Sequence, residues 1–301
     1  MKNLAASVKA RLLNIARSEG RDFNRVLLLY MQERFIARLT ESEYQDRFIL
    51  KGGVYLYLRY GSQARPTVDL DLLGRALSPD LDLIADIMRD LASVELEDGV
   101  RFDPDSVRTA RIREEAIYEG VRVKLTAYLE TARVPMQIDV GFGDVLSPRP
   151  KELSYPTLLE LDNTVAPAVL VYALEAVIAE KFQAMVVLGT LNSRFKDFYD
   201  LYVISQRERL EVSTLRTTLE ETFERRDTPL EDAYYLFEPA FAGTPALHQG
   251  WARLRTANPT LEAPEDFTAV MGRIAKFLEP VVKGKASGNW QPGRGAWDQG
   301  K

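Results

Sequence analysis

The chain of 301 residues has no cysteine and a single histidine, His248. Without thiols it can form neither disulfides nor thiolate metal sites, a composition compatible with a reducing cytosol. One imidazole, distant from every motif below, makes a multi-histidine zinc site or a histidine-activated nucleophile improbable. No run of about eighteen apolar residues is present, so no transmembrane helix is expected. The first residues, MKNLAASVKARLL, are too charged for a secretory signal. A cytoplasmic protein without a membrane partner is the expectation. Any chemistry falls to carboxylates, lysines and arginines.

The densest candidate is KGGVYLYLRYGSQARPTVDLDLLG, from Lys51 to Gly74. Gly52 and Gly53 follow a short apolar run, and a glycine turn lets backbone N–H groups approach a phosphate with no side chain between. Asp69 and Asp71 alternate along a second apolar run, so on a strand both project from one face. Such neighbours repel unless a cation lies between them. Hard divalent ions such as Mg²⁺ favour these oxygen ligands and share them with substrate phosphates. The combination suggests metal-dependent nucleotidyl transfer.

Apolar periodicity makes the first sixty residues helical, with Leu4, Val8, Leu12 and Ile15 on one helix and Phe23 to Met31 on a second capped by Asp22. Phe48 to Leu50 reads as a strand, Val54 to Arg59 as a helix, Thr67 to Leu73 as the aspartate strand and Pro79 to Val94 as a helix. Ser106 to Ile112, Val121 to Leu129 and Val134 to Phe142 read as strands. Pro148, Pro150, Pro156 and Pro167 punctuate a less regular connection. From Val171 to Lys283 the pattern is helical, with breaks near Asn192, Thr228 and Gly243. A glycine-rich tail with Trp290 and Trp297 follows, either disordered or anchored by its indoles. The expected class is α+β: a mixed sheet with helices, then a helical C-terminal domain. The expected divisions are 1–165, 166–283 and a tail over 284–301.

Three further features bear on the site. Asp139, between Ile138 and Val140, would join Asp69 and Asp71 if its strand paired with theirs, and three carboxylates can hold two Mg²⁺ ions. At about 100° per residue, Lys181 falls in the centre of the apolar stripe formed by Leu174, Val177, Ile178, Ala184, Met185 and Leu188. It must either snorkel to water or meet an anion. In NSRFKDFYDLY, Asp197 and Asp200 share a helical face, and Lys196 and Asp200 are spaced to pair. Arg194 and Lys196 lie near that helix's N-terminus, where an anion is favoured. Charge is also uneven. Residues 1–60 hold eleven Lys/Arg against six Asp/Glu, a balance of +5 in a chain of net charge -5. That excess is either a solvated face or a surface for a polyanion.

The order of these phrases resembles the AbiEii/AbiGii nucleotidyltransferase-like toxin family, within the DNA polymerase beta-type superfamily. LKGG at 50–53, RPTVDLDLLG at 65–74, QIDVGFGD at 137–144, AEKFQAMVVLG and NSRFKDFYDL carry the resemblance over about half the chain. It implies a minimal nucleotidyltransferase sheet followed by a helical domain, in a bacterial toxin–antitoxin or phage-defence setting with a separately encoded antitoxin. Gly52 and Gly53 then look like the nucleotide-binding turn, although Gly-Gly replaces the frequent Gly-Ser and presents no hydroxyl. Asp69 and Asp71 look like metal ligands, with Asp139 as a possible third. Lys181 resembles the helix lysine that engages the triphosphate, and Asp197 the acidic residue of the final motif. Lys51, Thr67, Arg194 and Lys196 are further candidates for nucleotide contact. The implied activity is transfer of a nucleoside monophosphate from an NTP to RNA, with the tRNA 3′ end as acceptor, using Mg²⁺ (two ions). A small-molecule or protein hydroxyl as acceptor, or a silent binding module, are the alternatives.

Overall fold

A computed structural model describes residues 4–112, 120–144, 146–161 and 166–298. Contacts divide the chain into two units. The first is Met1–Leu58, Pro66–Asp144 and Pro150–Val171; the second is Arg59–Arg65, Val145–Arg149 and Tyr172–Lys301.

The first unit opens with helices α1 (Leu4–Ser18) and α2 (Phe23–Thr40). Asp22 caps α2 as expected, its carboxylate accepting from the Arg25 N–H at 3.0 Å. Most of α2 is buried, including Glu33, Arg34 and Arg38. Burial on nearly all sides demands partners for those charges. Arg38 grips Asp98 at 2.7 Å and lies over the Phe102 ring. Arg34 approaches Glu33 at 2.9 Å, and Glu33 accepts the Leu158 N–H at 2.7 Å.

Next come β1 (Phe48–Lys51), α3 (Gly52–Tyr60), β2 (Asp69–Gly74), α4 (Leu81–Ser93), β3 (Val100–Ile112), β4 (Gly120–Leu129) and β5 (Ala132–Phe142). Two short strands, β6 (Lys151–Ser154) and β7 (Ala168–Val171), complete the sheet. They occupy the connection expected to be irregular. Four residues are too few to show a period, and pairing defines them instead: β6 runs antiparallel to β7, and β7 parallel to β1. Among the described residues the sheet has seven strands in the order β3-β4-β5-β2-β1-β7-β6. It is mixed, with β2 parallel to β5 and antiparallel to β1. The α+β expectation holds.

Alternation fixes the two faces of β3–β5. Val121, Val123, Leu125, Ala127 and Leu129 of β4 are buried, as are Val134, Met136, Ile138 and Val140 of β5. The alternate residues form the other face. β3 begins at Val100, earlier than expected, because a bulge between Asp103 and Arg108 breaks its alternation.

The second unit is helical: α5 (Leu174–Leu188), α6 (Phe195–Arg207), α7 (Val212–Arg225), α8 (Pro239–Ala242), α9 (Pro245–Ala257) and α10 (Phe267–Val282). Phe195 and Phe198 of α6 pack around Phe267. Gly250 of α9 admits Phe195, since a Cβ there would lie 1.9 Å from its ring. The tail forms a hairpin of β8 (Trp290–Gln291) and β9 (Ala296–Trp297). The indoles anchor it: the buried Trp290 donates to the Ser205 carbonyl at 2.7 Å and Trp297 to the Phe277 carbonyl at 2.8 Å. The last three residues lie outside the described set.

Candidate active site

Strand register in the first unit assembles a row of charges. Lys51 of β1 lies opposite Asp71 of β2, Asp71 opposite Asp139 of β5, and Asp139 opposite Arg122 of β4. Directly paired residues project to the same face, so the row reads Lys51–Asp71–Asp139–Arg122. Asp69 stands two residues before Asp71 on that face, opposite Gln137. The strand pairing needed to bring Asp139 beside Asp71 is therefore present.

The glycine turn closes on this row. Gly52 has φ +66°, and a Cβ built on it would fall 1.9 Å from Asp71 Oδ2. Glycine is required on two counts, conformation and space. The Gly53 N–H, at the start of α3, donates to Asp71 Oδ2 at 3.3 Å. The N-terminal end of a helix favours an anion, and the anion held there is the Asp71 carboxylate. Lys51 Nζ pairs with Asp144 Oδ2 at 2.6 Å, and Asp144 is only 6% exposed. The Thr67 hydroxyl donates locally to the Asp69 carbonyl at 3.2 Å.

Asp139 is engaged differently from its two neighbours. Arg122 holds it through both carboxylate oxygens, Nε to Oδ1 at 2.9 Å and Nη2 to Oδ2 at 2.7 Å, and Gln137 Nε2 donates to Oδ2 at 3.3 Å. A bidentate arginine is a strong, geometrically defined partner for a carboxylate. Among the described residues no three carboxylate or imidazole side chains form a group able to hold a metal ion. Asp139 is thus held by Arg122, with Asp69 and Asp71 as the carboxylate pair on the same face. That pair still fits a hard divalent cation: two carboxylates on one strand face, one of them set where a side chain at Gly52 would otherwise stand. An ion bound by so few protein ligands completes its shell with water and substrate phosphate.

The second unit carries its own ionic cluster. Lys181 of α5 neither reaches bulk water nor loses its charge. It is 11% exposed and meets Asp197 at 2.6 Å and Asp200 at 2.8 Å. Arg65 forks onto Asp200, with Nε and Nη2 contacts of 3.0 Å each. Arg194 Nε reaches Asp197 at 3.0 Å. The chain of contacts is Arg65–Asp200–Lys181–Asp197–Arg194. Burial pulls the Lys181 ammonium down, but Asp197 and Asp200 outweigh it and hold it above the ordinary lysine value. Burial likewise pushes the Asp197 carboxyl up, yet Lys181 and Arg194 prevail and hold it below the usual range. Both members of the pair stay ionised at neutral pH.

The spacing-based pairing of Lys196 with Asp200 does not form, because Lys181 and Arg65 saturate that carboxylate; Lys196 is exposed. Sequence reasoning missed Asp144, Arg122 and the site roles of Arg65 and Asp200. The last two stand in the phrases RPTVDLDLLG and NSRFKDFYDL, but nothing in one dimension pairs them. Arg122 becomes visible only once strand register is known, and Asp144, the last residue of QIDVGFGD, only once the fold brings it to Lys51.

Paired carboxylates beside a glycine turn on a mixed sheet define a site suited to phosphoryl chemistry. The family model for the nucleotidyl transferase AbiEii toxin, type IV toxin–antitoxin system, matches residues 34–273. The chain belongs to this family and is a nucleotidyltransferase. No curated protein matches it. Among solved structures, JHP933 from Helicobacter pylori is similar at 14% identity and a TM-score of 0.47, over 85% of this chain and 90% of that one. A second H. pylori protein, described as a nucleotidyltransferase, aligns at 16% identity and a TM-score of 0.46, over 86% and 95%.

Proposed function

We propose that the protein transfers a nucleoside monophosphate from an NTP to an RNA 3′-hydroxyl, with the tRNA 3′ end as acceptor. The observation that carries this reading is the Asp69–Asp71 pair with Gly52 fitted against it. In the reaction the hydroxyl oxygen attacks the α-phosphorus, the bond to the β-phosphate oxygen breaks, pyrophosphate leaves and the hydroxyl proton is lost. Asp69 and Asp71 are the residues that would hold Mg²⁺. When bound, the ion offsets triphosphate charge and eases deprotonation of the hydroxyl.

This chain's own groups supply the positioning. The Gly52–Gly53 turn, whose Gly53 N–H holds Asp71, and Lys51, paired with Asp144, are assigned to the phosphate side of the site, with Thr67 beside them. In the second unit Lys181, Arg194 and Lys196 are assigned to triphosphate charge, and Asp197 and Asp200 hold Lys181 protonated and oriented. Fixed charge of this kind, rather than covalent chemistry, dominates such transfers. Family membership implies a separately encoded antitoxin. The setting proposed is the cytoplasm, in a toxin–antitoxin or phage-defence role; no helix among the described residues is long and apolar enough to cross a membrane.

The test is a transfer assay with purified protein, Mg²⁺, each labelled NTP in turn and total bacterial RNA, beside Asp71→Asn. Label in a tRNA-sized band with one NTP, absent with the variant, is the expected result. Label on another acceptor, or equal labelling by the variant, would overturn it.

A further inference from the structure

We propose that the solvent face of β3–β5 is the surface that receives the RNA acceptor; this rests on the reading of RNA as acceptor given above. Register places a basic field there. Arg101 lies opposite Tyr128, and Tyr128 opposite Arg133. Farther along the strands Arg108 lies opposite Lys124, Lys124 opposite Gln137, and Gln137 opposite Asp69. The β3 bulge matters here. It shifts the parity of the strand so that Arg108 joins Lys124 on the face that already holds Arg101 and Tyr128.

These cations face solvent, Arg108 with its Nη1 donating to the Asp105 and Val107 carbonyls at 2.8 and 2.7 Å. Arg101, Arg108, Lys124 and Arg133 are all exposed. Among the described residues none of the four has an ion-pair partner. The acidic groups nearby are few: Asp103 accepts the Asp105 N–H, Asp105 stands in the bulge, and Glu130 is paired with Lys9 at 2.8 Å. Asp139 is neutralised by Arg122. The face therefore keeps a positive excess although the chain as a whole is acidic.

Its chemistry is that of a polynucleotide site rather than a small-molecule one. Arg101 lies 4.4 Å over the Tyr128 ring, giving a cation braced on an aromatic plane. Such a pair suits a stacked base beside a phosphate. The row is also continuous with the carboxylates. At about 4.8 Å per strand, Lys124 is roughly 10 Å and Arg108 roughly 15 Å from Asp69 across the sheet. A 3′-hydroxyl at Asp69 and Asp71 would leave the preceding phosphates lying over Lys124 and Arg108.

Much of the basic N-terminal region, the other candidate for a polyanion, is engaged elsewhere, while Arg17 and Arg25 are exposed. Arg34 and Arg38 are buried, Lys9, Arg21, Lys51 and Arg59 are in ion pairs, and Arg11 donates to the Glu160 carbonyl at 2.7 Å.

The experiment titrates the full chain into labelled bacterial tRNA by fluorescence anisotropy across a salt series. Wild type is compared with the triple variant Arg108→Ala, Lys124→Ala, Arg133→Ala, and with the charge-retaining triple Arg108→Lys, Lys124→Arg, Arg133→Lys. The alanine triple is expected to lose tRNA affinity tenfold or more, with NTP affinity held and the log–log salt slope shallower by about 2. Equal tRNA affinity in wild type and alanine triple would overturn the proposal and leave RNA as acceptor intact. No tRNA binding by wild type would overturn both. If the alanine triple also loses NTP affinity, the charge-retaining triple decides: retained tRNA affinity supports the surface, and lost affinity overturns it.

Discussion

The sheet row of the first unit and the helical cluster of the second are built from the same residue types and are opposite in character. In the cluster, Arg65, Asp200, Lys181, Asp197 and Arg194 form a closed chain of contacts in which Lys181, Asp197 and Asp200 are nearly inaccessible. In the row, Asp69 and Asp71 stand on one half-buried strand face as like charges side by side. Burial decides what each can do. A closed, desolvated network has its geometry set by its own members, and removing one strands the others. A half-open pair of carboxylates on one face has room for a hard cation beside it. The first arrangement fixes Lys181 in place, with Arg194 at its exposed edge; the second is suited to acquire a metal ion.

The largest effect should come from opening the closed cluster. Lys181→Met leaves Asp197 and Asp200 buried with reduced compensation and is expected to cost about 3–5 kcal/mol, read by urea denaturation. The linkage signs differ for the two partners. Lys181, raised, contributes stability that is present at neutral pH and lost as pH climbs through its folded value. Asp197, lowered, contributes stability that is present above about pH 4 and lost as pH falls through its folded value. A loss within about 0.5 kcal/mol would mean that the cluster is not closed.

Gly52→Ala should come next. It forces φ +66° on a residue with a Cβ and drives that atom into Asp71 Oδ2. A cost of about 2–3 kcal/mol is expected, with loss of NTP affinity because the carboxylate must move. Unchanged affinity in calorimetry would separate the turn from the row.

Glu33 gives a contrast within the first unit. Burial pushes its carboxyl up to about 7, with Arg34 and the Leu158 N–H opposing and Asp98 adding. Its folded value exceeds its unfolded one, so the folded state binds the extra proton, and stability falls as pH rises from about 4.5 through about 7. Tyr30, Asp98 and Tyr155 are the other ionisable groups that act on it. Glu33→Gln should flatten that slope, a difference of about 1–3 kcal/mol near pH 8 by thermal or urea melts. An unaltered slope would assign the pH dependence elsewhere.

The smallest effect on stability is expected at Asp71→Asn. Asparagine removes the charge but keeps an oxygen that can accept the Gly53 N–H, so the unfolding free energy should change by less than about 0.5 kcal/mol. A destabilisation comparable to that of Lys181→Met would place Asp71 among structural groups and erase the contrast.

The division between what was and was not legible follows the same physics. Local rules found the Asp22 cap, the helix around Lys181 and the alternating Asp69 and Asp71, because each is written within a few residues. Lys181 was visible as an anomaly on an apolar face, and its partners Asp197 and Asp200 lay in the next helix. What the chain did not show depends on register or long-range pairing. Strands β6 and β7 are four residues each and are recognisable only through their neighbours. Arg122 is an ordinary β-strand arginine until pairing places it against Asp139. The bulge at Asp103 to Arg108 hid the start of β3, since alternation fails where two residues oppose one. Arg65 and Asp200 are 135 residues apart in sequence, and only the fold brings them together.

The account rests on the open row as the ligand-binding half of the contrast. Its most direct test is calorimetric titration of NTP, with and without Mg²⁺, into wild type and Asp71→Asn. The account predicts Mg²⁺-dependent binding by wild type and at least a tenfold weaker affinity in the variant, with the unfolding midpoint unchanged. NTP affinity equal in the two proteins, or independent of Mg²⁺, would contradict it.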